Sequence, residues 1–363
     1  MSKQLLRFGI VIALVLIVVS VTVLLNNAPR HLSADSPDAV PSLLLSPAAT
    51  PLVTQTPMEV SEEVPPELLA TETPVTASTD VPSSTIGNEP TVSPEQRLLA
   101  TITPAPPAKL NGLLVEQFIV MSDTVRQHIR EIYAAGQTLG RNPHAFSKLG
   151  DSTIVYPLFL GIWDKKAKGA YNLGDYTYLQ PSIDQFAGSF SRIGLASRKG
   201  LHSWSVFDPM WADKTQCQPN EDVLACEIRL NNPSILIIRL GANDRDAAKL
   251  FDKNMRKIVE TVIADGVIPV IGTKPDHADG PDNAVNNALR KIAADYNIPL
   301  WDFDLVAGTV PDRGLYQDNV RMYSSKSFDF STPKPFESGS ALHDLTGLMV
   351  LDAIRREVMP TNP

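Results

Sequence analysis

Residues 234–240 read Ser-Ile-Leu-Ile-Ile-Arg-Leu, and no other segment limits the possible folds as tightly. A strand with one wet face alternates apolar and polar residues, whereas a near-continuous apolar run rich in isoleucine is a strand covered on both faces. Such strands belong to parallel sheets with helices packed on either side. Turn formers bound the run, Asn232-Pro233 before it and Gly241-Ala242-Asn243-Asp244 after it. Around it, apolar spacing predicts an alternation of elements. Helices are expected over 113–137 (ending near Gly136), 246–264, 284–296 and 342–358. Strands are expected over 145–149, 190–196, 267–271 and 298–303. The alternation predicts an α/β domain with a parallel sheet, whose ligands would sit at the carboxyl ends of the strands.

The N-terminal part of the chain cannot join that core. Residues 27–108 hold 15 of the 30 prolines, no Phe, Trp or Tyr, and the single glycine Gly87. So little apolar surface cannot offset the entropy of ordering, and the stretch is expected to be a disordered, extended stalk. Ahead of it, Phe8 to Leu25 is uncharged and apolar on every face, behind Lys3 and Arg7. This predicts a transmembrane signal anchor over 8–26, with 1–7 inside the cell and the rest extracytoplasmic. A cleaved signal peptide is the competing reading, but Asn26-Asn27-Ala28-Pro29 is a poor cleavage site. The folded domain is then 109–363, at the outer face of a cell membrane and tethered by a single span.

Charge and motif content exclude several function classes. The formal net charge is −8; the stalk's ten acids against Arg30 and Arg97 alone give −8, Lys3 and Arg7 add +2, and the domain is left at −2. A near-neutral domain lacks the basic face that a nucleic-acid binder needs. No His/Cys pair has zinc-ligand spacing and no Gly-rich loop ends in Lys-Ser/Thr, so neither a metal nor a nucleotide cofactor is expected. Cys217 and Cys226 lie in a polar loop, and an even count in an exported chain predicts one disulfide.

Two short motifs fall at predicted strand ends. Gly150-Asp151-Ser152 follows strand 145–149, and Gly241-Ala242-Asn243-Asp244 follows 234–240. Each alone suits turn and helix-cap chemistry. Between them lie Tyr178-Leu179-Gln180, Ser189-Phe190-Ser191-Arg192, Gly200, Asp208-Pro209, Trp211-Ala212-Asp213 and Asn232-Pro233-Ser234. Taken together and in this order, these segments resemble the SGNH/GDSL hydrolase family, in an exported, membrane-anchored bacterial subgroup. The resemblance covers most of 140–357. It implies a three-layer α/β/α sandwich of the flavodoxin-like kind and a serine ester hydrolase. Ser152 would be the nucleophile, with the Ser152 N–H, Gly200 and Asn243 forming the oxyanion hole. Esters or acylated envelope glycans would be the substrates.

The family's base comes from a late Asp-x-x-His, and none of the six histidines here stands in that motif. His343, opening the last helix, is one reading, although the residue three before it is Ser340. The other aligns residues 314–321, with Asp318 in the acid's place and Arg321 in the histidine's place. Arginine cannot accept a proton. His343, His277 and His202, in that order, are the candidate bases, with Asp318 as the orienting carboxylate. If none serves, the fold would be a non-catalytic module that binds or assembles glycans. A purely structural stalked protein would use neither Ser152 nor Asn243.

Overall fold

The computed structural model describes residues 106–359. The expected anchor over 8–26, and all but the last three residues of the expected stalk, lie outside the described residues. Among the described residues, no helix is long and apolar enough to cross a membrane.

A two-residue hairpin, β1 (Lys109–Leu110) and β2 (Leu113–Leu114), leads into the one-turn helix α1 (Val115–Phe118). Then come β3 (Ile119–Val120), α2 (Asp123–Thr138) and β4 (Asn142–Gly150). Short helices α3 (Ser152–Val155) and α4 (Gln180–Gln185) precede α5 (Val223–Asn231). The remaining elements are β5 (Pro233–Arg239), α6 (Ala248–Ala264), β6 (Ile268–Gly272), α7 (Ala284–Asp295), β7 (Leu300–Trp301), α8 (Phe303–Ala307) and α9 (Gly339–Val358).

The central sheet runs β3-β7-β6-β5-β4. Strands β4 to β7 pair in parallel, and β3 joins β7 antiparallel. The expectation of a parallel sheet therefore holds for four of the five strands. Alternate side chains feed two apolar layers. Phe146, Ile235, Ile237, Ile268 and Val270 pack with α2 and α9. Leu149, Leu236, Ile238 and Ile271 pack with α5, α6 and α7. Every residue of β5 is buried, as its composition requires.

Two expected elements need correction. The single helix over 113–137 is broken, because Ile119 and Val120 pair with Trp301 and Leu300 instead of continuing a helix. Ser122 then restarts the chain as an N-cap, its hydroxyl accepting from the Val125 N–H at 3.3 Å. The expected end near Gly136 holds, since α2 ends at Thr138, but Gly136 is not the stop signal. It lies inside the helix, where a Cβ would come within 2.1 Å of the Gly266 carbonyl oxygen, so it is a close-packing glycine. The expected strand over 190–196 is irregular chain. Its amides go to side chains: Ser191 N–H to Asp164 at 2.7 Å and Leu195 N–H to Glu227 at 2.7 Å. Phe190 still enters the core, edge-on to Phe146.

Candidate active site

Parallel pairing sets the site. Gly150, the last residue of β4, is in register with Arg239, the last of β5. A Cβ on Gly150 would lie 2.3 Å from the Arg239 carbonyl oxygen, so only glycine permits this approach. Asp151 caps α3, its carboxylate accepting from the Thr153 N–H at 2.9 Å, and Ser152 is the first helical residue. Ser152 is half-buried, and among the described residues neither its hydroxyl nor its N–H has a hydrogen-bond partner.

The segment 196–201 runs beside this turn. Ala196 accepts from the Gly150 N–H at 3.0 Å, and the Arg198 N–H donates to the Gly150 carbonyl at 3.0 Å. Gly200 has φ +74°, a conformation that favours glycine. Across from it, Asn243 donates one amide hydrogen to the Leu201 carbonyl at 3.0 Å. Its second amide hydrogen has no partner among the described residues. Asp244 is buried and holds the next stretch by accepting from the Ser203 hydroxyl at 2.7 Å. The predicted oxyanion residues Ser152, Gly200 and Asn243 thus stand on three segments that hydrogen-bond one another at the carboxyl edge of the sheet.

Beneath Ser152 lies a buried charge cluster that the sequence reading did not place. Arg239 is 2% exposed on the α2/α9 face of β5. Burial lowers its pKa to about 10, while Asp151 and Asp276 pull it back up. Burial likewise raises the Asp151 carboxyl, against hydrogen bonds from Thr153 and the charge of Arg239. One polar atom on each of Asp151, Arg239 and Asp276 is buried without a partner. The signal was legible in part, as an arginine at the end of an otherwise apolar strand.

The structure separates the expected His343–Asp318 dyad. His343 is 1% exposed in α9, walled by Phe159, Trp301 and Phe303 at centroid distances of 4.1, 4.9 and 4.7 Å. Its Nε2 meets the Arg239 guanidinium, which can only donate, so that nitrogen's lone pair is already used. Burial, then the Arg239 charge, lowers its pKa well below 6.5. Asp318 sits elsewhere, on an exposed turn, accepting from Arg321 Nε at 2.6 Å and from the Arg321 and Val320 N–H groups. Burial works to raise its pKa, but these hydrogen bonds and the Arg321 charge hold it below the usual range. Arg321, in the position aligned with the family histidine, is therefore engaged with the carboxylate three residues before it.

Another His–carboxylate pair was missed by spacing rules. At the carboxyl edge, between β6 and β7, His277 Nε2 lies 2.7 Å from Asp304 Oδ1. Asp304 also accepts from Arg290 at 2.6 Å, from Asn283 at 2.9 Å and from Arg313. His202 stacks on Trp204 with ring centroids 5.6 Å apart.

Cys217 and Cys226 form the expected disulfide, with Cα atoms 5.4 Å apart. The bridge ties the 213–222 loop to α5, and it leaves no thiolate beside Glu221 to bind a metal.

No family model and no curated protein matches the chain. Solved structures do. The psychrotrophic esterase EstA from Pseudoalteromonas sp. is 18% identical with a TM-score of 0.34, covering 57% of this chain and 98% of its own. A GDSL-like lipase from Bacteroides thetaiotaomicron is 11% identical with a TM-score of 0.36, covering 64% and 98%. The acetylxylan esterase Axe2 from Geobacillus stearothermophilus is 14% identical with a TM-score of 0.36, covering 58% and 95%. These three are a GDSL-like lipase and two esterases, and likeness at this level leaves the chemistry of this chain to be read from its own residues.

Proposed function

We propose that the domain is a serine ester hydrolase of the SGNH type, held outside the cell by the anchor over 8–26. The observation that carries this reading is the grouping of an unpartnered Ser152 hydroxyl with the free amide hydrogen of Asn243 and the Gly200 segment. A serine at a strand-to-helix turn presents its hydroxyl outward, and donors fixed nearby stabilise a developing oxyanion. Ser152 attacks the acyl carbon, and the oxyanion is held by the Ser152 and Gly200 N–H groups and by Asn243. Acylated extracellular glycans and simple esters are the substrate class that this location favours.

Turnover of p-nitrophenyl acetate by the full-length chain tests the reading. The Ser152→Ala variant should lose it, and unchanged turnover would overturn the proposal. A second reading, a glycan-binding module without turnover, is favoured by Arg321, paired with Asp318, in the sequence position that the resemblance gives to the base. Enzyme-like rates that depend on Ser152 would eliminate it.

A further inference from the structure

We propose that His277, oriented by Asp304, is the general base that serves Ser152. The proposal rests on the serine-hydrolase reading above and supplies the residue it lacks. A serine hydroxyl is a weak nucleophile without a neighbour that takes its proton. Among the described histidines, His277 alone hydrogen-bonds a carboxylate. The ring of His128 turns to the Asn297 carbonyl, and that of His144, near the amino end of β4, to the Gln185 carbonyl. His343 is committed to Arg239.

The pair has the required polarity. Burial tends to raise the Asp304 pKa, but hydrogen bonds from Arg290 and His277, the Arg313 charge and Asn283 outweigh it and keep the carboxylate ionised. An ionised carboxylate only accepts, so the proton of neutral His277 sits on Nε2 and the lone pair is on Nδ1. The side chain is 43% exposed, and among the described residues Nδ1 has no hydrogen-bond partner.

Placement supports the pairing with Ser152. β4, β5 and β6 are consecutive in the sheet, at about 4.8 Å per strand. Asp151 and Asp276, which immediately precede Ser152 and His277, both act on the buried Arg239. The two turns therefore stand at the same carboxyl edge of the sheet, on either side of β5. In the acylation step Ser152 Oγ bonds to the acyl carbon as its proton passes to His277 Nδ1. The imidazolium, stabilised by Asp304, returns that proton to the leaving alkoxide, and water repeats the sequence to release the acid.

The test uses the full-length chain with p-nitrophenyl acetate. His277→Gln should lower kcat by about 10²–10⁴ with little change in KM. His277→Ala should recover part of its rate when imidazole is added, which a merely structural role would not produce. Full turnover in His277→Gln, alongside loss in Ser152→Ala, would overturn the base assignment and leave the hydrolase reading standing. A loss in His277→Ala that imidazole does not restore also counts against the assignment. Turnover that ignores Ser152→Ala, or no turnover in the unaltered chain, overturns both.

Discussion

Replacing Asp344 by Asn should stabilise the protein, and more so at pH 7.5 than at pH 5. Asp344 is buried in α9, where one carboxylate oxygen accepts from the Leu160 N–H at 2.7 Å. Burial raises its pKa from 3.8 to about 7, against the pull of that N–H and of the Lys148 and Lys165 charges. A raised folded-state value means that stability is fully present below pH 3.8 and is lost as pH rises to about 7. At about 1.4 kcal/mol per pH unit, the ionised group costs the folded state about 4 kcal/mol above pH 7 and about 1.6 kcal/mol at pH 5. Asparagine keeps an oxygen for Leu160 and carries no charge. Urea denaturation at both pH values, read as the difference between Asp344→Asn and the unaltered chain, measures the effect. The expected difference grows by about 2.5 kcal/mol from pH 5 to pH 7.5. An equal difference at the two pH values, or a variant less stable at pH 7.5, would refute the reasoning.

Two further outcomes are expected. Asn243→Ala should cut kcat by about 10²–10³, the usual effect of removing one oxyanion donor, and a loss under tenfold in ester hydrolysis would take Asn243 out of that role. Replacing both Cys217 and Cys226 by Ser opens a bridge spanning nine positions and should cost roughly 2–3 kcal/mol in denaturant titration.

Much of the fold could be read from residue spacing, because β5, α6, β6, α7 and α9 follow from local apolar pattern. The errors arose where distant partners decide. Ile119 and Val120 continue a helical periodicity, yet β7, far along the chain, draws them into the sheet. Chain 190–196 has strand-like composition, but Glu227 and Asp164 take its amides. The positions of Ser152 and Asn243, residues of the proposed oxyanion hole, were legible because two motifs mark two strand ends. His277 stood second among the candidate bases, but its pairing with Asp304 was not legible, because 27 positions separate the two and no short motif spans that gap. His343 looked suitable at the opening of the last helix, and only the fold shows that an arginine and three aromatic rings enclose it.

The short β3 has a consequence for any trimmed form of the protein. It covers the outer side of β7, and the Phe118 carbonyl accepts from the Asp302 N–H at 2.7 Å in the same seam. A truncation beginning after Val120 would strip that cover and leave the backbone groups of an apolar strand open to a second molecule, the usual seed of aggregation. The Val115 N–H reaches back to the Ala108 carbonyl at 3.0 Å, so a well-behaved fragment should start no later than Ala108.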